Sequence, residues 1–403
     1  MSKARRMTGT ATKAVHAGER PDPATGASAP DIVMSTTFVS EEVAKFSAHD
    51  MGEDSPYIYG RWANPTVNML EGKIAALEGT EACLCLASGM AAAQAIFLTH
   101  LSAGDHVIIS DVSYAGVAEL ARDTLPRFGI EVSLVDMSDL DALSAARRPN
   151  TRLIHSESPC NPILRLADLQ AVSDLAHEIG AKHSCDATFA SPVGQNTAAL
   201  GADYVLHSIT KYVGGHGDAI GGAVCGREAD IKALNLEAGI HHGGILSPFN
   251  AWLIARGAAT LPLRMRAHQD GAMAVASWLE GCKQVSRVIY PGLKSHPQHE
   301  LARAQMGNFS GVLSFQVGGE ASGEALAARM IERLEIIHYA VSLGHHRSLI
   351  WWMPTAAMNE ASFRLTGRQL DSYRDYAGDG IFRLSVGLED ADDLIEDLAR
   401  VLS

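Results

Sequence analysis

The sequence predicts an α/β fold: a mostly parallel central sheet with helices on both faces, followed by a smaller C-terminal α+β domain. Three observations carry this expectation. From about residue 65 to about residue 226, short apolar runs of strand length alternate with amphipathic stretches of helix length. After about residue 250 that alternation gives way to a long helical stretch and then to a shorter mixed region. The chain has 403 residues, which suits two domains better than one core.

The elements follow in order. Residues 1–62 are rich in Pro, Gly, Ser, Thr and Asp and read as an extended arm with little core of its own. Residues 63–255 read as the large α/β domain. It opens with NPTVNMLEGKIAALEG, an amphipathic helix stopped by Gly79, and continues with the strand EACLCLAS and the helix GMAAAQAIFLTHL. DHVIISD, EVSLVDMS, TRLIHSES, AKHSCDAT, ADYVLHSIT and AIGGAVCG read as further strands, with GVAELARDTLPRFG, DLDALSAARR and LADLQAVSDLAHEIG as helices between them. Residues 256–403 read as the small domain. The segment SPFNAWLIARGAATLPLRMRAHQDGAMAVASWLEG leads into it as a long helical stretch. SGVLSFQV and FRLSVGLE are its strands, and ALAARMIERLE and ADDLIEDLARVLS its helices.

Composition narrows the function classes. Apolar residues make up 47% and charged residues 20%, as in ordinary globular proteins. The net charge of −13 argues against nucleic acid and anionic membrane surfaces as partners, because both reward Lys and Arg. The six cysteines form no CxxC pair and read as reduced thiols, so a cytoplasmic location is expected. The first residues lack the apolar region of a signal peptide, and no run of 18 or more apolar residues suggests a membrane span. No metal site is expected: His241-His242 and His345-His346 are adjacent pairs, and no carboxylate or cysteine spacing completes a set.

In an open α/β sheet, ligands bind at the carboxyl ends of the strands. The polar residues collected there are Ser88-Gly89-Met90, Ser113-Tyr114, Glu157-Ser158 with Asn161, Asp186, and Ser208 to Lys211. Ser88-Gly89-Met90 stands between a strand and a helix start, where free N–H groups and a close backbone suit a phosphate; an N-cap and a tight turn would look the same. Lys211 follows a strand directly and is flanked by hydroxyls and glycines, SITKYVGGHG. A partly desolvated lysine there would be nucleophilic. Asp186 lies one crossover unit upstream; it would pair with the ring nitrogen in a pyridoxal-phosphate site, or merely cap the next turn. Tyr114 could stack on a flat ring there, and equally could be an interface or core tyrosine. Together these suit pyridoxal 5′-phosphate held as a Schiff base on Lys211. The glycine-rich run after Lys211 does not open a helix and lacks nucleotide-fold spacing. A non-catalytic relative that keeps the fold as a scaffold would be expected to have lost Lys211, Asp186, Tyr114 or Arg383, and all four are present.

With those residues in place, HSITKYVGGHGD and YIYGRWANPT make the chain resemble the trans-sulfuration (Cys/Met-metabolism) enzymes: methionine γ-lyase, cystathionine γ-lyase, cystathionine γ-synthase and the homoserine-ester sulfhydrylases. The resemblance implies an aminotransferase-like fold and a homotetramer of two active dimers. Lys211 would be the Schiff-base lysine and proton carrier, Asp186 the pyridinium partner, and Tyr114 the stacking ring and general acid. Ser88, Gly89, Met90, Ser208 and Thr210 would hold the phosphate. Tyr59 and Arg61 would reach the phosphate of the neighbouring subunit, and Asn161 would contact the cofactor's phenolic oxygen. Arg383, helped by Ser342, would clamp the substrate α-carboxylate. The implied reaction is γ-elimination on a γ-substituted L-amino acid, with γ-replacement as the alternative. The chain departs from the pattern at AVSLGHHRSLIWWMPTAAMNEASF: Arg347 replaces a glutamate, and Trp351 and Trp352 stand in what reads as a loop at the substrate's distal end. Two tryptophans there would suit a cationic leaving group such as that of canavanine, or simple packing.

Overall fold

The computed structural model describes residues 7–41, 43, 56–318 and 323–402. The part of the expected arm at residues 1–6, 42 and 44–55 lies outside the described residues. Twelve strands occur among the described residues: β1 (Ala82–Leu86), β2 (His106–Ser110), β3 (Glu131–Val135), β4 (Thr151–Glu157), β5 (Lys182–Asp186), β6 (Tyr204–His207), β7 (Gly222–Gly226), β8 (Val285–Ile289), β9 (Val312–Val317), β10 (His338–Tyr339), β11 (Leu349–Pro354) and β12 (Gly380–Ser385). Seven of them build a larger sheet and five a smaller one. The chain divides into two compact units, one of residues 1–100 and 203–262, the other of 101–202 and 263–403.

In the first unit, β7 pairs antiparallel with both β1 and β6. The helix Pro65–Glu78 opens as its sequence requires. The Asn64 side chain accepts from the N–H groups of Thr66 at 2.9 Å and Val67 at 3.3 Å, and Pro65 takes the first turn, where its missing N–H costs nothing. Gly79, at φ 77°, ends it in the left-handed region that favours glycine. The described arm is tied to this helix. Lys73, fully buried, donates to the Ala14 carbonyl at 2.6 Å and pairs with Glu19 at 2.9 Å. The Asn64 carboxamide donates to Val33 O, and the Trp252 indole donates to Pro30 O.

In the second unit, four strands run parallel in the order β5-β4-β2-β3. The helix Leu169–His177 that precedes β5 is capped by Asp168, whose carboxylate accepts from Ala171 N–H at 3.1 Å. The smaller sheet has the order β10-β11-β12-β9-β8. Its core joins Leu313 and Phe315 of β9, Ile350 of β11, and Phe382 and Leu384 of β12 to apolar faces of the helices Leu261–Glu280, Gly323–Arg333 and Ala391–Leu402. The last of these, ADDLIEDLARVL, buries Leu394, Leu398 and Val401 at helical spacing.

Three segments depart from the sequence expectations. GVAELARDTLPRFG is not one helix: Ala115–Glu119 is α-helical, Leu120–Thr124 widens to a π-turn, and Leu125–Phe128 tightens to 3₁₀ around Pro126, which has no N–H to continue the ladder. The stretch beginning SPFNAWL is two helices, Pro248–Ala258 and Leu261–Glu280, with Pro262 in the first turn of the second. The segment LIWWMP, expected to be a loop, is strand β11.

Buried histidines give the fold an acid sensitivity. Burial lowers the pKa of His155, His268 and His296 from 6.5 to about 4. His268 Nδ1–H donates to Val386 O at 2.8 Å, and His155 Nδ1 shares a hydrogen with Ser184 Oγ at 2.8 Å. The unfolded chain takes up these protons near pH 6.5 and the folded chain only near pH 4. Their contribution is therefore present above pH 6.5 and lost as pH falls toward 4, at about 1.4 kcal/mol per proton per pH unit. We expect the urea midpoint to fall between pH 6.5 and 4.5. The fall is partly offset by Glu71, whose carboxyl burial pushes up to about 7 and which gains stability on protonation over the same window. A midpoint that rises on acidification would contradict the assignment.

Candidate active site

The residues singled out in the sequence divide between the two units. In the first unit, β6 ends at His207 and the chain turns through Ser208 to Lys211. Lys211 is half-buried; its N–H donates to Ser208 O at 3.1 Å, and its carbonyl accepts from Gly215 N–H at 2.7 Å. The strand end is anchored by a buried pair, His207 Nε2 against Glu78 Oε1, both about fully shielded from solvent.

Gly89 opens the twelve-residue helix Gly89–His100. A Cβ at Gly89 would come within 2.9 Å of Ser208 Cβ and 3.1 Å of its Oγ, so this helix start and the Ser208 hydroxyl meet closely because residue 89 is glycine. A Cβ at Gly222 would meet Ser88 O at 2.1 Å, a second close approach at the same turn. Ser88 Oγ accepts from Ala91 N–H at 3.1 Å and so caps the helix, while the N–H groups of Gly89 and Met90 lie ahead of its first backbone bond, Ala92 N–H to Ser88 O. The Thr210 hydroxyl donates to Gly221 O and accepts from Gly221 N–H, each at 3.1 Å; its only proton is thus engaged by the backbone. Tyr59 is 41% exposed, and the Arg61 guanidinium lies 5.4 Å from the centre of its ring while donating to Ile240 O.

In the second unit, β4 and β5 end side by side: Glu157 and Asp186 are register partners, and both are buried. Asp186 Oδ1 accepts from Thr188 N–H at 2.9 Å. Glu157 uses both carboxylate oxygens, Oε2 accepting from Tyr114 N–H at 2.6 Å and Oε1 from Asn161 N–H at 2.7 Å. Burial and the adjacent Asp186 charge push the Glu157 pKa well above the ordinary carboxylate range, against the pull of the two amides and of Arg383. Tyr114 starts the helix Ala115–Glu119, and its carbonyl accepts from Val117 and Ala118 N–H. Its side chain is 49% exposed.

Arg383, on β12, is buried. Its Nη1 donates to Asn161 Oδ1 at 2.7 Å and its Nη2 to the Ser342 carbonyl at 3.2 Å. Ser342 holds φ at 109°, a strained value for a residue with a side chain, and its hydroxyl lies 3.3 Å from His345 Nε2. The two tryptophans, adjacent in sequence, lie on opposite faces of β11. Trp351 is the register partner of Arg383 and shares its face; Trp352 partners Phe382. Trp352 packs into the core of the smaller sheet, its ring 4.7 Å from Phe382, in room that Gly323 and Gly380 leave; a Cβ at Gly380 would come within 2.5 Å of the indole. The two tryptophans, expected together at the substrate's distal end, are thus parted, and Trp352 does not share the face of Arg383. Trp351 packs against Tyr339, with ring centres 4.6 Å apart and the planes tilted by 36°. The strand periodicity of LIWWMP, rich in β-formers, is the sequence signal that separates them. Glu157 reads in the sequence only as a polar strand-end residue, because its partners are backbone amides.

A family model described as Cys/Met metabolism PLP-dependent enzyme matches residues 11–403. The chain belongs to that family. It is 41% identical over 395 residues to a canavanine gamma-lyase of Pseudomonas canavaninivorans, covering 97% of this chain and 96% of that protein. It is 41% identical over 398 residues to a cystathionine gamma-synthase of Mycobacterium tuberculosis, covering 98% and 97%. A cystathionine gamma-lyase from Lactobacillus plantarum, solved in complex with L-serine, matches with a TM-score of 0.86 at 35% identity over 98% of both chains. This member of the Cys/Met-metabolism family is therefore a pyridoxal-phosphate enzyme with the fold expected, an α/β sheet and a second, smaller sheet domain. The residues fit that cofactor. In the first unit, the Gly89 helix start held against the Ser208 hydroxyl would suit a phosphate, and in the second, a buried carboxylate at the end of β5 would suit a pyridinium. Among the described residues no cluster of His, Cys, Asp and Glu could hold a metal ion, and no helix is long and apolar enough to cross a membrane.

Proposed function

We propose that this enzyme is a γ-lyase acting on an L-amino acid whose γ-substituent is planar and cationic, as in canavanine. The observation that carries the reading is Trp351, which stands opposite Arg383 on one face of the smaller sheet. A guanidinium that holds the α-carboxylate and an aromatic face beside it would recognise the two ends of such a substrate. The 41% identity to a canavanine gamma-lyase supports the same reading. Equal identity to a cystathionine gamma-synthase supports the second reading, γ-replacement at the same carbon.

Gly89, Met90, Ser88 and Ser208 would hold the phosphate of pyridoxal phosphate, with Thr210 joining if its hydroxyl turns from Gly221. Asp186 would face the ring nitrogen, and Asn161, whose oxygen is taken by Arg383, would offer Nδ2 to the phenolic oxygen. Bound there, the cofactor would supply an electron-poor ring that stabilises negative charge at Cα. Lys211 Nζ takes the Cα proton and carries it onward. Arg383 fixes the carboxylate and with it the Cα–H direction. The Tyr114 phenol gives its proton to the departing heteroatom. Water completes the reaction to 2-oxobutanoate and ammonia, or to homoserine when it adds at Cγ. Tyr59 and Arg61, carried on an arm of residues 1–62, would serve the phosphate of a neighbouring subunit in a cytoplasmic homotetramer, with a large domain at 63–255 and a small one at 256–403. The exposure of Tyr59 supports that arrangement.

Methionine, cystathionine, O-acetylhomoserine and canavanine should be compared by release of 2-oxobutanoate or homoserine. Canavanine is expected to turn over fastest. Trp351→Ala should raise its KM by about 2- to 30-fold, the range of a cation–π contact, and leave O-acetylhomoserine turnover within about twofold. Absence of any product from canavanine would overturn the reading.

A further inference from the structure

Glu157 and Asp186 are two carboxyl groups buried side by side at the ends of neighbouring strands. Burying a second carboxyl next to the first is costly in itself, through lost hydration and through repulsion between like charges. A glutamate kept there solely for packing would be poorly chosen. Its geometry indicates another use. The two oxygens of one carboxylate accept from two backbone N–H groups, of Tyr114 at 2.6 Å and of Asn161 at 2.7 Å. Those residues leave different strands: Tyr114 follows β2, and Asn161 follows β4. Asn161 in turn carries Arg383 on its side-chain oxygen at 2.7 Å.

We propose that Glu157 is a positioning residue of this active site, a two-pronged clamp whose carboxylate sets the backbone of Tyr114 and Asn161 in one arrangement and, through Asn161, steadies Arg383. Two N–H donors need two acceptors, and at this size a carboxylate alone offers an acceptor at both prongs. A carboxamide of the same shape presents one acceptor and one NH₂, which leaves one amide facing a donor. The proposal rests on the roles read above for Tyr114, Asn161 and Arg383, but the clamp itself belongs to the protein without cofactor and is testable there.

The test is hydrogen exchange at the Tyr114 and Asn161 amides in the apoprotein, followed by kinetics of the holoenzyme. In Glu157→Ala both amides should exchange about tenfold faster, the equivalent of one lost hydrogen bond each, while protection within β4 and β5 is retained. In Glu157→Gln one of the two should lose protection and the other keep it. This near-isosteric variant decides the question if the alanine protein does not fold. The kinetic constants should then follow the amide that is lost: KM rises if it is Asn161, through Arg383, and kcat falls if it is Tyr114. The thermal midpoint of Glu157→Gln should hold, because replacement also removes repulsion with Asp186; a purely structural carboxyl would lower it. Wild-type protection at both amides in the alanine variant, or at both in the glutamine variant, overturns the clamp. Lost protection with unchanged KM and kcat leaves the clamp standing and overturns the roles assigned to Tyr114 and Arg383.

Discussion

Lys211→Ala should reduce kcat by about 10³-fold or more while leaving the urea midpoint unchanged. The size follows from the task. A positioned general base alone contributes about 10²- to 10⁴-fold, and the same amine is the group that would hold the cofactor covalently. The structural part follows from placement: the lysine side chain is only half-buried, and the backbone of residue 211 makes its turn through Ser208 O and Gly215 N–H, which alanine preserves. Lys211→Arg should fail equally, because a guanidinium stays protonated and cannot serve as a base. Borohydride reduction of the wild-type enzyme and peptide mapping should place one cofactor adduct on the Lys211 peptide and none in the variants. An adduct elsewhere, or a Lys211→Ala enzyme with more than about a tenth of native turnover, would remove the basis of the mechanism.

The second large effect is expected at Arg383. The guanidinium is aimed by two contacts, Asn161 Oδ1 and Ser342 O, before any substrate arrives. Binding a carboxylate there adds charge-assisted hydrogen bonds worth about 1.5–3 kcal/mol each. Arg383→Ala should therefore lower kcat/KM by about 10²- to 10³-fold, mostly through KM, with the loss shared by all amino-acid substrates. Arg383→Lys should recover only part of it, since an ammonium cannot reproduce the planar fork. Michaelis kinetics on two substrates with different leaving groups check both points; a loss under about fivefold, or one confined to a single substrate, would place the carboxylate elsewhere.

Much of this was legible in the residue order. The alternation of strand and helix segments from Pro65 to Gly226 appears nearly as read, helped by local signals at some helix ends: Asn64 and Asp168 start helices and Gly79 stops one. Lys211 and Asp186 stood out because charged residues at strand ends are conspicuous. The failures have physical causes. Pro126 and Pro262 interrupt helices whose apolar periodicity runs through them. The polar HHR segment before β11 disguised a strand, and with it the alternation that sends Trp351 and Trp352 in opposite directions. Glu157 lay beyond reach because its partners are main-chain amides 43 and 4 positions away, and main-chain donors carry no signature in a sequence.

The opposed facing of the two tryptophans bears on how an enzyme like this one changes its preferences. A single step along β11 moves from a ring beside Arg383, the proposed carboxylate clamp, to one wedged over two glycines. Divergence can rework the first without disturbing the scaffold, whereas the second cannot change unless its glycine bed changes too. Selectivity and robustness are thus uncoupled over less than 4 Å of backbone, and new chemistry at the pocket need not be won at the expense of the fold.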